Sequence, residues 1–168
     1  MITPEDQRAI AQQLGREPRD IVSVAHRCPC GRPDVVATAP RLSDGTPFPT
    51  VYYLTCPRAA SAVGRLEGTG VMREMEARVA EDPDLQASYV AAHAHYLEAR
   101  NALGDVPEID AVSAGGMPDR VKCLHVLLAH SLAAGPGVNP LGDEARALVG
   151  EWWAGHSCAT SGAEEAAP

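Results

Sequence analysis

The stretch His26-Arg27-Cys28-Pro29-Cys30-Gly31 limits the fold more than any other part of the chain. Two cysteines around a proline, closed by a glycine, suit neither a strand interior nor a helix interior, so the chain must turn there. β-branched runs flank the turn, Ile21-Val22-Ser23-Val24 before it and Val35-Val36-Ala37-Thr38 after it. Together they predict a β-hairpin whose turn carries two thiols. After turn chemistry around Asp44-Gly45, Val51-Tyr52-Tyr53-Leu54-Thr55 predicts a third strand. We expect that strand to lie beside the first and run parallel to it. Cys28 and Cys56, each following its strand, then come to the same end of the sheet.

Helix signals surround this sheet. Thr3 is a predicted N-cap, with Pro4 at the first helical position, acidic Glu5 and Asp6 in the first turn, Ile10 and Leu14 inward, and a stop at Gly15. Pro57 starts a helix through Ala60, Val63 and Leu66 to about Gly68, which leaves Cys56 at its N-terminus, where the helix dipole favours a thiolate. Val71, Met72, Met75 and Val79 mark a short amphipathic helix ending before Pro83. Leu85, Tyr89, Ala92, Tyr96, Ala99 and Leu103 mark a long one. Residues 104–116 lack periodicity and read as a loop. A helix is expected from Pro118 to about Ala134, with Val121, Leu124, Leu128 and Leu132 on one face and Asp119, Cys123 and His130 nearly opposite. Asn139-Pro140 begins the last helix, with Leu141, Ala145, Leu148 and Trp152 inward. The fold class is therefore α+β, a small three-stranded β-sheet packed against a larger helical layer. A chain of 168 residues suits one such domain over residues 1–155, followed by an Ala/Glu-rich disordered tail at 156–168.

Charge and hydropathy exclude some classes of function. With 14 Lys and Arg against 22 Asp and Glu, the net charge of −8 would repel a phosphate backbone, which argues against nucleic acid as a partner. No run approaches the roughly 20 apolar residues of a membrane helix. Met1-Ile2-Thr3-Pro4-Glu5-Asp6 has neither the basic start nor the apolar run of a signal peptide, so a cytoplasmic, reducing setting is expected, with free thiols.

Cys28, Cys30 and Cys56 sit beside Pro or Gly at the edges of predicted elements, Cys123 lies two residues before His125, and Cys158, in the expected tail, is set aside. Small buried thiols also pack cores, and taken singly Cys123 reads that way. As a set, Cys28, Cys30, Cys56 and Cys123 resemble the ligands of a metal or cluster, with His125 as a fifth candidate. On the expected helix His125 falls about 200° from Cys123, so one metal could take both only if the helix were distorted. His130 shares the Cys123 face but sits roughly 10 Å further along the axis, which suits a supporting position. Asp119 is more simply a first-turn carboxylate, and His93 and His95 are packing or solvated residues. Gly115-Gly116 before Pro118 is weak evidence for an anion cradle.

Thiolate ligands suit zinc or an iron–sulfur cluster, and a cluster held by three cysteines would leave one iron open to substrate and so be catalytic. Heme–thiolate ranks behind these. A thiol-redox protein with Cys56 as nucleophile and Cys30 or Cys123 as resolving partner needs no metal. A metal-free protein–protein interaction module is the alternative from a different class. Either a protein partner or a small-molecule substrate fits, and the sequence leaves the oligomeric state open.

Several stretches carry a resemblance: Arg27-Cys28-Pro29, Asp44 to Thr50, Tyr53-Leu54-Thr55-Cys56-Pro57, Gly70-Val71-Met72-Arg73, Met117 to His125 and Asn139-Pro140-Leu141-Gly142. From Val22 to Trp153 the chain resembles the actinobacterial domain-of-unknown-function family 501. The resemblance implies no established activity. It places Cys28, Cys56, Cys123 and His125 within the family pattern and sets Cys30 apart from it. It also implies genes beside those for enolase, a septum-initiator protein and an exopolyphosphatase-like enzyme, hence a link to cell-envelope or division functions.

Overall fold

The computed structural model describes residues 1–155 and Cys158. Apart from Cys158, the predicted tail at 156–168 lies outside the described residues. The elements run α1 (Pro4–Leu14), β1 (Ile21–Arg27), β2 (Pro33–Thr38), β3 (Tyr52–Leu54), α2 (Pro57–Glu67), α3 (Val71–Glu81), α4 (Pro83–Asn101), α5 (Leu124–Ala134) and α6 (Pro140–Val149), with a 3-10 turn at Pro107–Ile109. The α+β class is as the sequence predicts.

Local chemistry accounts for most of these boundaries. Thr3 and Asp6 form a reciprocal capping box at the start of α1, and Gly15 ends it in the left-handed region at φ 67°. The hairpin turn closes through Cys28 N–H donating to the Arg32 carbonyl at 2.9 Å and Gly31 N–H to the Cys28 carbonyl at 2.8 Å.

The sheet order is β1-β2-β3, both pairs antiparallel, so β2 is central and buried along its whole length. The expected pairing of the third strand with the first is wrong. Val35-Val36-Ala37 pairs with Tyr52-Tyr53-Leu54 because the strand with no polar face needs cover on both edges. β1 and β3 still point the same way, so Cys28 and Cys56 do follow strands that end on the same side of the sheet.

α5 packs against the sheet and α6 crosses α5 at close range. A Cβ at Gly142 would lie 2.1 Å from the Leu127 carbonyl oxygen, so only glycine permits this crossing. Leu124, Leu127, Leu128, Leu141, Tyr89 and Tyr96 fill the centre with no exposed surface. His130 belongs to this core and does not face Cys123. It stacks on Tyr52 and His95, and its two ring nitrogens meet Asn139 Nδ2 at 3.1 Å and His95 Nδ1 at 3.0 Å.

Two further expectations fail. The helix expected from Pro118 begins only at Leu124, with Cys123 as its N-cap. Residues 118–123 are instead held from other helices: Val121 N–H donates to Glu76 at 2.9 Å and Tyr89 O–H to the Arg120 carbonyl at 2.8 Å. At the C-terminal end, Leu148 is 53% exposed, and Trp152 lies beyond the end of α6 although it is buried.

Candidate functional site

Four cysteines gather where the hairpin turn meets the start of α2. Cys28 follows β1 and is 2% exposed; Cys30, two residues on, is exposed; Cys56 caps α2, its Sγ accepting from Ala59 N–H at 3.5 Å. The fourth is Cys158, the cysteine set aside on sequence. It is fully buried, and its thiol donates to Cys28 Sγ at 3.2 Å. Gln13 on α1 fixes this segment, its Nε2 donating both to the Pro33 carbonyl at 2.7 Å and to the Cys158 carbonyl at 2.8 Å. The sulfurs of Cys28, Cys30 and Cys158 all lie within 4.8 Å of one another, and Cys56, outside that group, acts on the Cys158 thiol.

The thiols do not ionise alike. Burial pushes Cys28 up to about 11. The hydrogen bond with Cys56 holds Cys158 far above the usual thiol range, and the same bond lowers Cys56, helped by the N–H groups at the start of α2. Burial raises Cys30, but hydrogen bonds from backbone and neighbouring thiols outweigh it and the net shift is downward. Asp34, wholly buried, pairs through Oδ1 with His26 Nδ1 at 2.7 Å, while its Oδ2 has no hydrogen-bond partner among the described residues. The carboxylate opposes the thiolate of Cys56.

Cys123 and His125 are elsewhere. They form a second group with Glu67, donor atoms within 4.8 Å of one another. Glu67 ends α2, which Cys56 begins, so about 16 Å of helix axis separates the two groups. The structure thus divides the residues singled out in the sequence: Cys28 and Cys30 come together with Cys158, Cys56 interacts with Cys158 from the start of α2, and Cys123 and His125 form a separate pair. Because Cys123 precedes the helix, the angular objection to its meeting His125 disappears.

Glu67 Oε1 accepts from Leu124 N–H at 2.7 Å, from His125 N–H at 3.4 Å, and meets His125 Nδ1 at 3.0 Å. It caps α5 from a different helix, which explains why α5 starts where it does. His125 is raised to about 9, by its hydrogen bond with Cys123 first and by Glu67 second. Burial raises Cys123, but the His125 hydrogen bond outweighs it and the net shift is downward. Sequence reasoning missed Glu67 and Cys158. Nothing local marks Glu67, whereas Cys158 carried one signal: a fifth thiol in a chain expected to hold reduced cysteines.

The family model for "Protein of unknown function (DUF501)" matches residues 24–147. The chain belongs to the DUF501 family. Both the hairpin cysteines and the Glu67–Cys123–His125 group fall inside the DUF501 match, and Cys158 falls outside it. Searches of the curated proteins and of the solved structures found no match.

Proposed function

We propose that this DUF501 protein is a thiolate metal-binding protein holding one zinc ion through Cys28, Cys30, Cys56 and Cys158. One observation carries the reading: three sulfurs from two distant parts of the chain lie within 4.8 Å of one another. Four sulfurs on a single tetrahedral ion, at bonds of about 2.3 Å, would be about 3.8 Å apart. The cysteine sulfurs around a cubane cluster are spread over roughly 6–7 Å. The spacing therefore favours a single ion over an iron–sulfur cluster. The donors are soft, and a dication among them would offset the thiolates and the buried Asp34 carboxylate.

All four positions filled by protein sulfur leave no open site for substrate, so the ion is structural. It ties the hairpin turn and the N-terminus of α2 to the segment after α6. Such a site needs reduced thiols, which fits a cytoplasmic protein. Among the described residues no helix is long and apolar enough to cross a membrane.

Purification without chelator, followed by elemental analysis and an absorption spectrum, tests this. A colourless protein with one zinc per chain is expected. A brown protein with iron and sulfide would replace zinc by a cluster, and protein without stoichiometric metal would return the chain to a metal-free interaction module.

A further inference from the structure

The second group has a different architecture. Cys123 stands at the N-terminus of α5 and is half-buried, His125 follows one residue later, and Glu67 reaches both from α2. The side chains of His125 and Glu67 are 36% and 23% exposed, so the group is open to small molecules. A thiol beside an imidazole, with a carboxylate holding the imidazole, is the arrangement that activates a sulfur nucleophile.

We propose that Cys123, His125 and Glu67 form a nucleophilic thiol site that exchanges with low-molecular-weight disulfides. Cys123 is the attacking sulfur, His125 the proton donor to the leaving thiolate, and Glu67 the residue that positions His125.

The choice of disulfide over acyl substrate rests on the helix N-terminus. Acyl transfer builds charge on an oxygen, which backbone N–H groups must receive. The N–H groups of Leu124 and His125 are already taken by Glu67 Oε1, and that of Val126 acts on the Cys123 sulfur itself. Attack on a disulfide builds no oxyanion and needs only a thiolate and a protonated leaving group. In the step, the Cys123 thiolate forms a bond to one sulfur of R–S–S–R′, that S–S bond breaks, and R′–S⁻ takes the proton of the His125 imidazolium. The products are the Cys123–S–S–R mixed disulfide, R′–SH and neutral His125. No other sulfur belongs to this group among the described residues, so nothing nearby resolves the mixed disulfide. The mixed disulfide accumulates until an external thiol removes it.

The test uses the full chain and 2,2′-dithiodipyridine, with intact-mass and peptide mapping to locate the product. At pH 7 a first equivalent should react at Cys123 at least about tenfold faster than a free cysteine peptide. Cys123→Ser should abolish that phase. His125→Asn should slow it about tenfold and move the midpoint of its pH–rate profile upward, since one unit of thiol pKa is a tenfold change in thiolate. In Glu67→Gln, His125 followed by NMR should lose its proton at lower pH, which a purely structural role would not produce. The unmodified protein's pH–rate profile needs no variant and guards against misfolding. A Cys123 no faster than the peptide, or a rate indifferent to His125→Asn, overturns the proposal. So does a metal equivalent lost in Cys123→Ser but kept in Cys158→Ser, which would make the group a metal centre. None of these readouts depends on zinc at the other four cysteines.

Discussion

The thiol of Cys158 lies 3.2 Å from the sulfur of Cys28, with 130 positions of chain between them. The distance is well outside the about 2.05 Å of a disulfide bond, so the pair is a contact between free thiols. A metal joining them would close most of the chain into one loop, and clips that close long loops restrict the unfolded chain most.

Cys158→Ser should therefore weaken zinc binding. If about 10–16 kcal/mol of site energy is shared among four ligands, losing one costs on the order of 3 kcal/mol, or about 100-fold in affinity. Competition with a chromogenic chelator measures this. Stripping zinc from the unmodified protein should lower its Tm, and Cys123→Ser should bind zinc as the unmodified protein does.

Gly142→Ala should be among the most damaging small substitutions. Its methyl would meet backbone of α5, the Leu127 carbonyl, which cannot rotate away as a side chain could. Separating α5 from α6 disturbs the centre of the core, and a loss of about 3 kcal/mol or more is expected. Urea unfolding measures it. Gly45→Ala, in a surface turn with open space around it but φ 88°, should cost less, about 1 kcal/mol.

Much of the fold is legible because its causes are local. The signals around Thr3, Pro57 and Asn139 are caps, which act within one turn, and each marks a real helix start. The hairpin follows from two β-branched runs and a turn that must bend. What escapes is set by distant partners. Pro118 looked like a helix start, yet the acceptor that fixes α5 is Glu67, more than fifty residues earlier. β3 joins β2 because of what β2 buries, which no property of β3 announces. Of the candidate site, the nearness of Cys28 and Cys30 is legible from the turn that carries both. Cys158 was not, since its burial depends on Gln13 and Cys28.

His130 makes stability fall in mild acid. Burial first, and His95 second, lower it to about 4, whereas the unfolded chain has the ordinary value near 6.5. Its contribution is complete above about 6.5 and is lost as pH falls to about 4, because the unfolded chain takes up the proton that the folded one refuses. A shift of this size is worth about 3 kcal/mol. Denaturant unfolding between pH 7 and 4 should show a steeper fall for the unmodified protein than for His130→Gln, and equal slopes would count against a neutral buried imidazole.

Asp6 governs a separate window at lower pH. It is 4% exposed and does two things at once: its Oδ2 accepts from Thr3 N–H at 3.2 Å in the capping box, and both its oxygens meet the Arg27 guanidinium, at 2.8 and 2.9 Å. Arg27 adjoins Cys28, so the pair fastens α1 to the turn that carries the sulfur site. The Arg27 hydrogen bonds hold the Asp6 carboxyl well below the usual carboxylate range, although burial opposes them. A carboxylate with a lowered folded pKa stabilises fully above its unfolded value near 4 and loses that contribution as pH falls below it. Arg27 is 46% exposed, so solvent screens the charge pair and its share is at most about 1 kcal/mol, with about 1 kcal/mol more from the cap. Asp6→Ala should thus cost about 2 kcal/mol at pH 7. Because His130 has finished titrating by about pH 4, the gap between Asp6→Ala and the unmodified protein should stay constant from pH 7 to about 5 and close only below about 4. A gap that closed near pH 6 would show that the variant had disturbed the histidine core instead of the α1 anchor.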